Sequence, residues 1–246
     1  MIWRKAWNES RFRFFLGLAI LSMLCLTAIL RAPHFPRPPF LAETWYTNSV
    51  WGGVYSNLGP VLFMATSILL GLGGLHRERA LGTVLFTLAL PVSRTQLIAV
   101  RAAVGLIEMA ALAMVPVVLL PVLSPILVGQ SYPVASPLAF SLIFIAWGSV
   151  AFSIGFLIST LVAGELNGIA VCLGFYTVYS VIRGTMFAKF ASADPTYLMS
   201  GANIPFFHRT ARLFQGPIPW DAIAILGLVA VLILASAAIF SLLQEF

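Results

Sequence analysis

The side chains that could do chemistry are few and widely separated. Among 246 residues the chain has 3 His, 2 Cys and 8 Asp or Glu. Cys25 and Cys172 lie within apolar runs, so the sequence indicates no disulfide framework. His34, His76 and His208 lie outside the strongest apolar runs and show no metal-ligand spacing. We therefore predict neither a metal site nor a catalytic centre in this chain.

Glu108 is the ionisable residue in the least favourable surroundings. It lies about one third of the way along an apolar stretch at residues 97–120, where a carboxylate is costly unless it faces other helices or water. The sequence leaves three roles open: an ion pair with Arg101 two turns earlier, a hydrogen bond across a subunit contact, or a place in a transport pathway. The ion pair is the favoured interpretation.

The sequence also lacks the motifs of common catalytic and nucleotide sites. It contains no G-x-x-x-x-G-K-[ST], G-x-S-x-G or H-E-x-x-H pattern, and neither Lys5 nor Lys189 follows a glycine-rich loop. We therefore predict that the protein is not an enzyme and holds no cofactor of its own. If it moves a substrate against a gradient, another chain must supply the energy.

Composition indicates that lipid, rather than water, surrounds most of the chain. Hydrophobic residues make up 60% of the sequence and charged residues 9%, whereas soluble domains carry roughly 25% charged residues. The net charge of +6 is not gathered into a basic run, which argues against nucleic acid as a partner. A bilayer containing anionic lipids suits this excess of positive charge.

The apolar stretches predict an all-α integral membrane protein with six transmembrane helices in a single domain, residues 1–246. A span needs about 20 mostly apolar residues. The stretches that qualify are residues 14–30, 54–75, 97–120, 137–162, 166–187 and 222–243. Pro116, Pro121 and Pro125 predict a kink or break at the outer end of the third span.

The distribution of basic residues favours cytoplasmic amino and carboxyl termini in a cytoplasmic (inner) membrane. The inner side then holds Arg4, Lys5, Arg11, Arg13, Arg77, Arg79, Arg94 and Arg101, and the outer side holds Arg31, Arg37, Arg183, Lys189, Arg209 and Arg212. Residues 76–96 form an inner loop, and 31–53 and 188–220 form outer segments, followed by the last span and the carboxyl terminus at 221–246. A cleaved signal peptide is the less favoured alternative, because Trp3, Trp7 and Glu9 are unusual in a leader.

Residues 1–13 have the pattern of an amphipathic helix at the membrane surface. Trp3 and Trp7 share one face and suit the headgroup level, while Lys5, Glu9 and Arg11 lie on the polar side. Two roles are equally open: a basic anchor for the first span, or a grip on a cytoplasmic partner.

Residues 78–90 predict a short helix that is apolar nearly all round. Glu78 suits the first turn, Pro91 ends the helix, and Ser93 with Gln96 forms a capping box for the next span. The helix measures about 20 Å, too short to cross a bilayer. One side can pack on the spans, so its other side implies a second protein. A re-entrant or buried structural hairpin is the alternative.

This segment also resembles a known family. Residues 77–108, RERALGTVLFTLALPVSRTQLIAVRAAVGLIE, resemble the region after the second span in ABC-2 type permeases, and the Trp-Arg-Lys and Glu-Ser-Arg residues before the first span resemble that family's elbow helix. The resemblance implies a permease subunit of an ATP-driven exporter that pairs with a second copy or a homologous permease. It also implies two ABC ATPase subunits, which bind ATP and Mg²⁺.

In such permeases the segment between spans 2 and 3 is the coupling helix that contacts the ATPase. The resemblance assigns this contact to Arg77, Glu78, Arg79, Gly82, Thr83, Phe86, Leu90, Pro91 and Arg94. It assigns the elbow helix to Trp3, Lys5, Trp7, Glu9 and Arg11. We expect an amphipathic or lipid-like substrate.

Two other functions stay open. One is a membrane immunity or assembly factor that transports nothing. The other, less favoured, is a lipid-modifying enzyme that would use His34, Glu43 and His208 on the outer side.

Overall fold

A computed structural model describes residues 2–34, 45–56, 58–72, 93–162, 167–174, 177–178 and 220–243. Every regular element in these ranges is helical. The α-helices are α1 (Ile2–Arg31), α2 (Trp45–Trp51), α3 (Leu58–Gly71), α4 (Arg94–Ala113), α5 (Val115–Val128), α6 (Ala135–Leu161) and α7 (Trp220–Leu243). A 3-10 turn at Ala32–His34 follows α1, and a π-helical turn at Gly52–Ser56 joins α2 to α3.

Within the described residues, 5 stretches are helical, long and apolar enough to cross a membrane. They are Ile2–His34, Trp45–Gly71, Thr95–Val128, Ala135–Leu161 and Ile223–Ser241. The prediction of an all-helical membrane protein is confirmed at this level. The predicted fifth span, 166–187, is described only at 167–174 and 177–178, so a total of six spans stays a prediction.

The amino-terminal segment differs from the expected separate surface helix. Residues 2–13 continue into the first span as one helix, α1, with no break at Arg13. At 1.5 Å per residue, its 30 residues measure about 45 Å, against about 30 Å of hydrocarbon. Because α1 contains no proline, the backbone has no reason to turn where the polar residues begin.

The second candidate span also begins earlier than the sequence suggested. Residues 31–53 were expected to form an outer segment, but Trp45–Trp51 is helical and buries Trp45, Tyr46 and Val50. Because prolines lie within residues 33–39, the sequence prediction placed the start of the second span after residue 53, which is too late in the chain. After these prolines, the burial of aromatic side chains favours the helix α2. The π-helical turn lies between α2 and α3.

Ser93 and Pro116 set the limits of α4. The Ser93 side chain caps its first turn by accepting a hydrogen bond of 3.2 Å from the backbone N–H of Gln96, as predicted. The helix ends at Ala113, and α5 begins after Met114 with Pro116 in its first turn. The predicted break is therefore present. Pro121 and Pro125 do not end the helix, however, because α5 continues to Val128.

Helix α6 lies at the centre of the described bundle, in contact with α3, α4, α5 and α7. Its closest approach is to α3, where glycines face backbone. A Cβ on Gly71 would lie 2.3 Å from the carbonyl oxygen of Phe152, and one on Gly155 would lie 2.5 Å from that of Ile68. Small residues at such crossings let two membrane helices pack closely.

Candidate functional site

Glu9 and Arg101 form an ion pair between α1 and α4. The Arg101 Nη2 donates to Glu9 Oε2 at 2.7 Å. The Arg101 side chain is 6% exposed and that of Glu9 is 33% exposed, so the pair lies at the edge of the buried region. Around it, Ile2 and Ala6 of α1 pack against Val100 and Val104 of α4. The amino-terminal segment is therefore docked on α4 by both apolar and ionic contacts.

Ser10 and Glu108 make a second polar contact between the same helices. The Ser10 hydroxyl lies within hydrogen-bond distance of Glu108 Oε1. Glu108 is only 2% exposed, and its Oε2 has no hydrogen-bond partner among the described residues. The favoured prediction, an ion pair between Glu108 and Arg101, is wrong. Seven helical residues place the two about 10 Å apart along α4, and Arg101 instead pairs with Glu9.

Arg13 links α1 to α3. Its Nη1 donates to the carbonyl oxygen of Leu69 at 3.2 Å, and it interacts electrostatically with Glu108. We call Glu9, Ser10, Arg13, Arg101 and Glu108 the α1–α4 polar cluster. It contains two arginine and two carboxyl side chains, and groups of this kind at such depth need polar or charged neighbours.

A small cavity lies beside this cluster. Its volume is about 20 Å³, which is room for one water-sized molecule. Ser10, Arg13 and Arg101 contribute polar walls, while Gly105 and Phe152 contribute to the apolar side. The cavity is too small for a lipid or a drug-sized substrate. We therefore interpret the cluster as a polar contact between helices and not as a substrate pocket.

The remaining residues assigned to the elbow helix lie on the outer surface of α1. Trp3 is 53% exposed and Trp7 is 38% exposed, and the Trp7 ring lies 5.5 Å from that of Phe14. Lys5 lies 3.9 Å from Glu9, as its i,i+4 spacing predicts. Arg11 is exposed. Of the residues assigned to the elbow helix, Glu9 therefore belongs to the polar cluster and Lys5 lies beside it.

Most residues assigned to ATPase coupling lie outside the described part of the chain. This applies to Arg77, Glu78, Arg79, Gly82, Thr83, Phe86, Leu90 and Pro91. Arg94 is the first residue of α4, where the structure describes its backbone. The short helix predicted at 78–90 and its contact with a second protein therefore stay predictions.

Sequence reasoning undervalued three residues of the cluster. Ser10 entered only through the Glu-Ser-Arg pattern, Arg13 only as an inner-side charge, and Arg101 as a partner of Glu108 rather than of Glu9. A usable signal was present, because Glu108 is costly inside a span and needs nearby polar or cationic groups. The basic residues nearest to the first and third spans on the same side are Arg11, Arg13, Arg94 and Arg101.

Tyrosines gather at the other end of the bundle. Tyr55 stacks on Phe140 with ring centroids 4.7 Å apart, and Tyr46 meets Tyr132 edge-on at 6.5 Å. Tyr132, in the link between α5 and α6, is 5% exposed, and burial raises the pKa of its phenol above the ordinary value. Tyr132 is therefore a neutral packing residue and not a general base.

The described residues contain no group of three or more His, Cys, Asp or Glu side chains placed to hold a metal ion. His34, one of three residues assigned to a lipid-modifying alternative, is exposed at the end of α1, with Nδ1 3.1 Å from the carbonyl oxygen of Leu30. Glu43 and His208 lie outside the described residues. No protein-family model matches the chain, and no curated protein matches it.

Proposed function

We propose that this chain is the membrane subunit of an ATP-driven exporter of the ABC-2 type. In this proposal it has six spans, pairs with a second permease, and is driven by two separate ATPase subunits. The proposal rests on the resemblance of residues 77–108 and of the amino-terminal segment, and on the absence of a nucleotide-binding motif from the sequence.

One geometric observation supports this function above the others. The amino-terminal segment is tied to α4 through Glu9 and Arg101, and α4 begins directly after the loop that the resemblance identifies as the coupling segment. Both segments that would contact an ATPase are therefore connected to the same helix.

The mechanism follows from these connections. Closure of the ATPases on ATP pushes the helix at 78–90, and the push reaches α4 at Ser93, its capped first turn. The polar cluster makes the inner part of α1 move with α4, because separating them would leave buried charges without partners. Tilting of these spans in both permeases then opens the pathway between the subunits to the outer side.

The substrate enters this proposal as amphipathic or lipid-like. The proposed pathway runs between the two permease subunits, and the apolar stretches that would surround it are mostly Leu, Val, Ala and Phe, which suits a molecule that already partitions into the membrane. Among the described residues, side chains such as Leu228, Val231 and Leu232 on α7 are exposed and apolar.

Co-purification with the candidate ATPase tests the function. The tagged full chain, co-expressed with a candidate ABC ATPase from the same genome, should retain the ATPase in detergent, and Glu78→Arg should reduce the retained ATPase about tenfold or more. Arg183→Ala, on the predicted outer side, is the matched control and should retain it fully. A wild-type chain that always purifies without an ATPase would contradict the proposal.

Transport is measured separately in liposomes that contain the complex. A transported amphipathic compound should stimulate ATP hydrolysis several-fold, and Glu78→Arg should abolish that stimulation. An immunity or assembly factor would bind partners without such stimulation, and a lipid-modifying enzyme would change the lipid chemically without ATP.

A further inference from the structure

The geometry points to Glu108 as a proton-binding site inside the membrane: its carboxyl group is held as the neutral acid and donates a hydrogen bond to Ser10. The inference concerns the chemistry of this buried group and does not depend on the proposed transport function. Three observations carry it, each from the described residues around Glu108.

The first observation is the set of oxygens around the Ser10 hydroxyl. Ser10 Oγ lies 3.1 Å from the carbonyl oxygen of Ala6, 3.3 Å from that of Trp7, and within hydrogen-bond distance of Glu108 Oε1. A serine hydroxyl has a single proton to donate and two lone pairs that accept. With Glu108 ionised, all three neighbours are acceptors, and Ser10 can serve only one of them fully.

A proton on Glu108 resolves this competition. Glu108 Oε1 then donates to Ser10 Oγ, and Ser10 donates to the carbonyl oxygen of Ala6, so both contacts are hydrogen bonds at once. Donation from Ser to the carbonyl four residues earlier is a common arrangement in helices. The neutral acid therefore turns more of the observed close contacts into hydrogen bonds than the anion does.

The second observation is the state of the other carboxyl oxygen. Glu108 Oε2 is buried and has no hydrogen-bond partner among the described residues, and the whole residue is 2% exposed. An ionised carboxylate shares its charge between both oxygens, so an unsolvated Oε2 would be expensive. In the neutral acid, Oε2 is an ordinary carbonyl oxygen, which is far less costly to bury.

The third observation is the path by which a proton arrives. Ser10, the partner of Glu108, lines the cavity of about 20 Å³, and so does Gly105, one turn before Glu108 on α4. The cavity has room for a water molecule, and Glu9, Arg13 and Arg101 form its polar lining. A proton can thus pass from this polar lining to the Ser10 hydroxyl and on to Glu108.

The charged groups that face Glu108 come from α1 and α4. Arg13 interacts electrostatically with Glu108, and it also donates to the carbonyl oxygen of Leu69 at 3.2 Å. Arg101 is paired with Glu9. Helices α3, α5 and α6 contain no charged residue, and α7 contributes only Asp221 in its first turn.

Infrared spectroscopy of the purified full chain in lipid nanodiscs tests this assignment. At neutral pH the wild type should show the carbonyl stretch of a protonated carboxylic acid, which shifts in D₂O and disappears in Glu108→Gln. Glu9→Gln is the matched control and should keep the band, since Glu9 is the ionised partner of Arg101. No such band in the wild type, or a band that survives Glu108→Gln, would overturn the inference.

Thermal unfolding of the same samples supplies an independent readout. In the unfolded chain Glu108 ionises near the ordinary glutamate pKa of about 4.3, whereas the folded chain keeps the proton, so the wild-type midpoint should fall as the pH rises from about 4 through neutral. Glu108→Gln, which has the shape of the neutral acid, should match the wild type at low pH, exceed its midpoint at neutral pH and lose most of that pH dependence. A Glu108→Gln variant strongly destabilised at neutral pH, with its pH dependence unchanged, would show that the anion is the native form.

Discussion

At the scale of single residues, the α1–α4 polar cluster shows what a sequence can and cannot reveal. Glu108 was identified from its position in an apolar stretch, because a carboxylate there needs polar or charged neighbours. Its partner was not identified, because this depends on which residues of α1 pack against α4. Glu9 and Arg101 are 92 residues apart in sequence, and only the assembled bundle brings their side chains together.

The Glu9–Arg101 pair should behave as a coupled unit. Because Arg101 is nearly buried and Glu9 is about one third exposed, Glu9→Arg and Arg101→Glu should each destabilise the chain by about 1–3 kcal/mol. The double variant, which restores opposite charges, should recover at least half of the summed loss. Unfolding in mixed micelles measures the three free energies. Simple additivity would mean that the two side chains do not interact.

At the scale of helices, prolines were informative and amphipathic patterns less so. Pro116 predicted the break that the structure has at Met114, because proline removes a backbone donor and clashes with the preceding turn. The pattern at residues 1–13 predicted a helix but not its direction. Amphipathicity shows which face prefers water, and α1 satisfies that preference by docking its polar residues on α4 rather than by lying flat.

The α3–α6 crossing should tolerate no added side chain. Gly155→Val would push against the Ile68 backbone, where even a Cβ would lie 2.5 Å from the carbonyl oxygen. We expect a loss of about 1–3 kcal/mol from overpacking. Gly227→Val on α7 is the matched control, because nothing lies within 4 Å of its Cβ position. Thermal unfolding compares the two, and equal midpoints would contradict the close crossing.

At the scale of the whole molecule, composition alone indicated a membrane protein, and the described helices agree. The number of spans was less secure, because residues 166–187 are apolar but only partly described. Inside and outside are also beyond what helix packing shows, since the bundle has the same internal contacts in either orientation. Orientation rests on the basic residues, where eight against six is a small bias.

Cysteine labelling determines this orientation. Thr95 and Ser131 are exposed at the two ends of the third candidate span, Thr95–Val128. In a background with Cys25→Ser and Cys172→Ser, a membrane-impermeant reagent added to intact cells should label Ser131→Cys and spare Thr95→Cys. Permeabilised cells should label both. The reverse pattern would place the amino terminus outside and remove the proposed coupling segment from the ATPase side.

The break at Met114 gives the third span two mechanically different halves. Helix α4 keeps an unbroken series of residues able to donate backbone hydrogen bonds, whereas Pro116, Pro121 and Pro125 each remove one donor from α5. A side chain from another helix compensates at the junction, where Ser141 Oγ donates to the carbonyl oxygen of Ala113 at 2.6 Å. The α5 half is therefore the more flexible one, so a displacement imposed on α4 leads to bending beyond the junction.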